Sequence, residues 1–163
     1  LLGFRSQLLR STSGMGQIHS LHHGWERVQG ESLSRQLGSI IADQPGTATP
    51  YEIVNLQARG IFFVPPGTEV YEGMIVGEHV RSDDISVNIA KAKHLTNHRE
   101  TPKQTSAGLV PPRNMSLDDC IEFLSEDELL EVTPDSLRLR KRILKNELRL
   151  KSQKAAKKLA GVE

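Results

Sequence analysis

Hydrophobic and polar positions alternate most clearly between positions 71 and 90. Met74-Ile75-Val76 is a short apolar run punctuated by Gly73 and Gly77, the pattern of a buried strand with a bend or close backbone approach at its ends. An acidic turn at Asp83-Asp84 follows. Ile85, Val87 and Ile89 then alternate with Ser86, Asn88 and Ala90, which predicts a half-buried strand. From Lys91 the alternation stops and the chain becomes basic and polar, with almost nothing apolar to bury. Residues 100–107 are polar and contain Pro102, so they read as an extension of that loop. Gly108-Leu109-Val110 is expected to return to the sheet.

Upstream, Leu1, Phe4, Leu8 and Leu9 follow helical spacing, and 11–16 is a stop rich in Ser and Gly. A helix is predicted over 1–10 and a strand over 17–25. A helix there would bring His19, His22 and His23 to one face, but a strand holds His19 and His23 about 13 Å apart and turns His22 away. A metal site is therefore not expected. The polar break Gln29-Gly30-Glu31 reads as a domain boundary. Residues 38–42 and 49–56 read as two strands joined by a turn at 44–47, and 61–64 as a third before the stiff turn at 65–68. Short strands so closely spaced suggest a compact antiparallel sheet or an open barrel.

Downstream, Ser116 reads as a helix N-cap with Asp119 as its capping-box partner, and Met115 and Cys120 occupy staple positions. Leu117, Cys120, Ile121 and Leu124 are the expected core stripe. A hairpin turning at Thr133-Pro134-Asp135-Ser136 would set Val132 opposite Leu137, Leu130 opposite Leu139 and Glu131 opposite Arg138. The pattern closes without a mismatch. Beyond it runs a basic, helix-forming tail with a thin apolar side.

Composition changes this picture in three ways. The net charge is only +1, yet the charges are segregated. An acidic block from Asp118 to Asp135 is followed directly by the basic tail. Such a run is ordinarily a solvated face, so alone it does not assign nucleic acid. Aromatic residues make up 4% of the chain, too few for a face of stacked bases. Cys120 is the single cysteine, which excludes an internal disulfide and a cysteine metal cage and fits a reducing compartment. No apolar run reaches membrane-spanning length and no phosphate-binding glycine loop occurs in the sequence, and no signal peptide is expected before the first element. Asp83-Asp84 reads as capping or solvated acids rather than a catalytic pair. No catalytic residues and no metal ligands are assigned.

Several motifs in order carry a resemblance: Tyr71-Glu72-Gly73-Met74-Ile75-Val76-Gly77-Glu78-His79, Lys93-His94-Leu95-Thr96-Asn97-His98-Arg99, Leu56-Gln57-Ala58-Arg59-Gly60, Leu109-Val110-Pro111-Pro112 and the stretch from Glu126 to Pro134 with Leu137 to Arg142. They resemble the C-terminal part of the BipA/TypA family of ribosome-associated translational GTPases. With the absent initiator Met, this leads us to expect a piece of a longer protein. The resemblance implies an α+β architecture: a partial ferredoxin-like α/β sandwich, then a compact, mainly antiparallel β domain with a capped helix, a β-hairpin and a basic C-terminal helix. Residues 1–29 resemble the second half of the fifth domain of elongation factor G, and 30–163 the family's own C-terminal domain.

The function implied is that of a ribosome- and RNA-contacting region without enzymatic activity of its own. GTP and Mg would belong to an N-terminal domain of the parent. The expected partners are the ribosome, large-subunit rRNA and the acceptor stem of A-site tRNA, with a parent role in ribosome assembly or stress-related translation. A cytoplasmic monomer, bacterial or in an organelle of bacterial origin and without a membrane partner, is expected. The expected RNA-binding residues are Lys91, Lys93, His94, Asn97, His98, Arg99 and Lys103 on the loop, supported by Arg138, Arg140, Lys141 and Arg142. The alternative is a protein-interaction module that docks on ribosomal proteins or on other domains of the parent.

Overall fold

The computed structural model describes residues 4–27, 35–92 and 108–159. Helix α1 (Phe4–Ser11) opens this part of the chain. It stops where Ser13 and Gly14 turn left-handed, with φ 51° and 85°. The Thr12 hydroxyl donates to the Leu8 carbonyl at 2.7 Å and accepts from the Gly16 N–H at 2.8 Å, which ties off the turn. The strand expected over 17–25 does not form. These residues have no regular structure, and Leu21 and Trp25 are 96% and 94% exposed. A strand needs a partner for its backbone N–H and C=O groups, and none of the described strands pairs with this segment.

The sheet that organises the chain has the order β3-β5-β1-β6. Its strands are β1 (Ser39–Ala42), β3 (Gly60–Phe62), β5 (Ile75–His79) and β6 (Ile85–Val87). β5 pairs antiparallel with both β1 and β3, whereas β6 joins β1 in parallel. Among the described residues two smaller antiparallel pairs accompany this sheet. β2 (Gly46–Thr47) pairs with β4 (Glu69–Val70), and β7 (Glu128–Val132) with β8 (Leu137–Lys141). The hairpin register is Val132 with Leu137, Leu130 with Leu139 and Glu131 with Arg138, as the alternation predicts.

Alternate side chains of a strand point to opposite faces, so the apolar runs of β1 and β5 feed two cores. Ile40, Ala42, Met74 and Val76 face one side, with Ile53, Leu56, Phe62 and Ile89. Ile41 and Ile75 face the other, with Cys120, Phe123 and Leu139. This is why these runs are apolar at every position rather than at every second one. Gly73 and Gly77 serve the close approach read from the sequence. A Cβ on Gly73, whose φ is 88°, would lie 2.7 Å from the Leu144 Cα, and one on Gly77 would lie 2.6 Å from the Ile61 carbonyl oxygen.

Residues 49–56 correct the sequence reading. They form helix α2 (Pro50–Leu56) instead of a strand, followed by a 3-10 turn over Gln57–Arg59. Thr49 caps the helix by accepting from the Glu52 N–H at 3.3 Å, and Pro50 starts it. The β-branched Ile53 and Val54 suggest a strand locally, but cap, proline and burial of Ile53 and Leu56 together favour the helix. Residues 108–110 are a turn and irregular chain, not a strand, although Leu109 packs on the first core.

Helix α3 (Leu117–Phe123) carries the predicted capping box between Ser116 and Asp119. Its buried stripe is rotated from the expected one. Cys120 and Phe123 are buried, while Leu117 and Ile121 are 47% and 50% exposed. Phe123 packs edge-on against Phe63, 5.1 Å between ring centres, and this contact turns the helix. Burial pushes the Cys120 thiol up, which favours the neutral form. Helix α4 (Asn146–Leu159) follows the hairpin.

Candidate nucleic-acid interface

Lys91 and Gly108, the stems that flank the basic segment in sequence, are both held by α2 and the turn that follows it. At its N-terminus the Thr49 hydroxyl donates to the Lys91 carbonyl at 2.8 Å, and the Thr49 N–H donates to the Ile89 carbonyl at 3.0 Å. Just past its C-terminus, the Gln57 amide donates to the Gly108 carbonyl at 2.8 Å and its carbonyl accepts from the Val110 N–H at 2.5 Å. A helix of seven residues is about 10 Å long. The stems are thus fastened near the two ends of one short rigid element, which is anchored in the core through Ile53 and Leu56.

Lys91 is exposed at the first stem. Lys93, His94, Asn97, His98, Arg99 and Lys103 lie outside the described residues. The second set is split by its environment. Arg142 is exposed and its guanidinium donates to the Glu126 carbonyl at 3.3 Å. Arg138 is half-buried and lies opposite Glu131. Arg140 Nε sits 2.6 Å from Glu131 Oε1. Lys141 is 2% exposed, and its ammonium faces three carboxylates, of Asp84 at 2.6 Å, Asp127 at 2.9 Å and Glu128 at 3.0 Å.

Lys141 belongs to a buried ionic cluster at the foot of the hairpin. Arg35 donates to both oxygens of Glu128 at 2.9 Å and to the Phe123 carbonyl at 2.8 Å, while its guanidinium lies 3.9 Å over the Phe123 ring. Ser39 adds a hydroxyl at 2.6 Å from Glu128, and its own N–H donates to Asp84 at 2.7 Å. Burial alone would raise the Glu128 carboxyl. The hydrogen bonds from Arg35 and Ser39, with the charges of Lys141 and Arg35, outweigh it and hold the group below the usual carboxylate range. Burial would likewise lower Lys141, but the bonds to Asp84 and Asp127 and the charges of Glu128 and Asp84 raise it. Asp84 is therefore a structural acid that joins β6 to β1 and β8.

Sequence reasoning missed Thr49, Gln57 and Arg35 as positioning residues. Thr49 stands three residues before Glu52 with Pro50 between, a helix-start signal that was available. Nothing local marks Arg35. It also missed Arg149, 6% exposed, whose guanidinium donates to the Ile143 carbonyl at 3.1 Å and to the Leu144 carbonyl. Among the described residues no group of three or more His, Cys, Asp or Glu is arranged to hold a metal ion. No described helix is long and apolar enough to cross a membrane.

Comparison with known proteins bears on the whole chain. Residues 37–146 match the model of the TypA/BipA C-terminal domain. A Bacillus subtilis protein named "Large ribosomal subunit assembly factor BipA" is 43% identical over 163 residues, 99% of this chain and 26% of that protein. Proteins of the same name from Synechocystis and Escherichia coli are 43% and 42% identical, over 86% and 96% of this chain. The chain spans about a quarter of the length of these relatives. With a domain match across both cores and the hairpin, and this identity beyond it, the chain belongs to the TypA/BipA C-terminal domain family.

Proposed function

We propose that this chain is the RNA-contacting, non-catalytic C-terminal region of a ribosome-associated GTPase that serves large-subunit assembly. The observation that carries the reading is the composition of the segment from Lys91 to Lys103, rich in Lys, His and Arg, together with the hold of Thr49 and Gln57 on the residues that flank it, Lys91, Gly108 and Val110. The relatives' name, a large ribosomal subunit assembly factor, supports the ribosome as the setting. On this reading residues 1–29 complete a domain like the fifth of elongation factor G, residues 30–163 form the family's own unit, and GTP is bound and hydrolysed elsewhere in the parent.

The chemistry follows from the residue types. Structured RNA presents phosphates and 2′-hydroxyls over an A-form surface and is recognised largely by shape and backbone. Lys91, Lys93 and Arg99 neutralise phosphates, while His94, Asn97 and His98 add hydrogen bonds. Large-subunit rRNA and the acceptor stem of A-site tRNA are the targets assigned. Arg138 and Arg142 are the supporting contacts. Arg140 spends its charge on Glu131 across the hairpin, and Lys141 spends its own on Glu128 of the hairpin and on Asp84 just before β6.

Binding to ribosomes, followed over a salt series, tests this. Each phosphate contact contributes roughly 0.7 to 0.9 to the slope of log affinity against log salt. Changing Lys91, Lys93 and Arg99 to Ala is expected to flatten the slope by about 2 to 3. An unchanged slope would sink the loop assignment.

A further inference from the structure

We propose that the outer face of α4 is a second RNA-contacting surface, separate from the loop, in which Lys151 and Lys154, with Lys158 next in the same register, track the phosphate backbone of an RNA helix. It rests on the reading of this chain as an RNA-contacting module and adds a site to it.

The helix is fixed from one side. Arg149 is 6% exposed and caps the chain before the helix through the Ile143 and Leu144 carbonyls, with Ser86 and Asn146 each 3.4 Å away. Glu72 accepts the Asn146 N–H at 2.7 Å at the helix start. At about 100° per residue, positions 151, 154 and 158 lie roughly opposite Arg149. Lys151 and Lys154 are exposed. The row is thus carried on a helix whose other side is clamped to β6 and to the turn before β5.

Beyond Lys151, which stands four residues after the exposed Glu147, the charge pattern on this row is not that of an ordinary solvated helix. Such faces alternate signs, so that acids and bases pair at i,i+4. From 143 to 159 the single acid is Glu147, against Lys145, Arg149, Lys151, Lys154, Lys157 and Lys158. Lys151 and Lys154, and Lys154 and Lys158, are like charges at helical spacing, which weakens an isolated helix. A polyanion turns this repulsion into attraction. An anionic membrane is a poor fit, because α4 contains no aromatic residue to seat in an interface. An acidic protein is a poor fit as well, because protein interfaces are depleted in lysine and centred on aromatic anchors.

The test uses the complete protein and large ribosomal subunits. Lys151→Gln, Lys154→Gln and Lys158→Gln are combined, since glutamine keeps helix propensity, and unchanged far-ultraviolet circular dichroism checks the fold. The expected result is a salt slope lower by about 2 to 3, additive with the loop triple variant. A photo-crosslinker at Ala155 is expected to join to rRNA. If the α4 variant keeps the parental slope while the loop variant loses its own, this inference is overturned and the loop reading stands. If only the α4 variant changes the slope, this inference stands without the loop. Crosslinks to ribosomal proteins alone overturn the RNA assignment of α4.

Discussion

Glu128 and Lys141 hold opposite charges inside the domain, and their surroundings decide what each does for stability. Glu128 has its carboxyl held low, so its contribution is fully present above the ordinary carboxylate value of 4.5 and is lost as pH falls through the lower folded value. Lys141 is raised. Its contribution is present below 10.5 and lost as pH rises through the higher folded value. Glu128→Gln leaves the Arg35 guanidinium without its carboxylate while Lys141 keeps Asp84 and Asp127, and is expected to cost about 3 to 5 kcal/mol by urea unfolding. It also removes part of the acid limb of the stability profile. A loss below about 1 kcal/mol, the range of exposed pairs, would contradict the assigned burial. The cluster was not legible in the sequence, because Arg35, Asp84, Asp127, Glu128 and Lys141 meet only after folding. At Asp83-Asp84 the sequence reads capping or solvated acids, and in the structure Asp84 accepts the Ser39 N–H and faces the Lys141 ammonium.

Helix α2 matters more than its length suggests, because it and the turn after it hold Lys91 and Gly108, the stems on either side of the basic segment. Thr49→Ala removes a helix cap, worth about 1 kcal/mol, and the bond to the Lys91 carbonyl. Gln57→Ala removes the two bonds at the other stem. Together they are expected to raise hydrogen exchange at the Val110 amide and to weaken ribosome binding without changing its salt slope, since no charge is lost. A changed slope would mean that the stems do more than position the loop. At α3, Ser116→Ala is expected to cost about 1 kcal/mol through the capping box, read as a lower unfolding midpoint. Elements with closed local logic were legible: the β7-β8 hairpin from matched alternation around its turn, and α3 from its cap. α2 was misread because Ile53 and Val54 carry strand preference while the Thr49-Pro50-Glu52 start signal outweighs it. The strand over 17–25 was misread because a segment bounded by turn residues still needs a partner strand for its backbone, and no described strand pairs with it.

For the whole molecule, the α+β character and the short-strand domain follow from the sequence, but the sheet order does not. β1 lies between β5 and β6, with a parallel pair to β6, a non-local arrangement that no window of sequence encodes. The two-sided burial of β1 and β5 was visible as continuous apolar runs, and its meaning, two cores on one sheet, came only with the packing. The family was legible from ordered motifs, and its model matches 37–146. The purified chain is expected to show no GTP hydrolysis; turnover by this chain alone would move the chemistry into it. On the proposed reading, the basic segment between the stems held at Lys91 and Gly108 meets RNA on the ribosome. A cryo-EM map of the complete protein bound to the ribosome tests it most directly. The account predicts the segment from Lys91 to Lys103 in contact with phosphates of rRNA or of the tRNA acceptor stem; a map in which that segment touches protein only would contradict it.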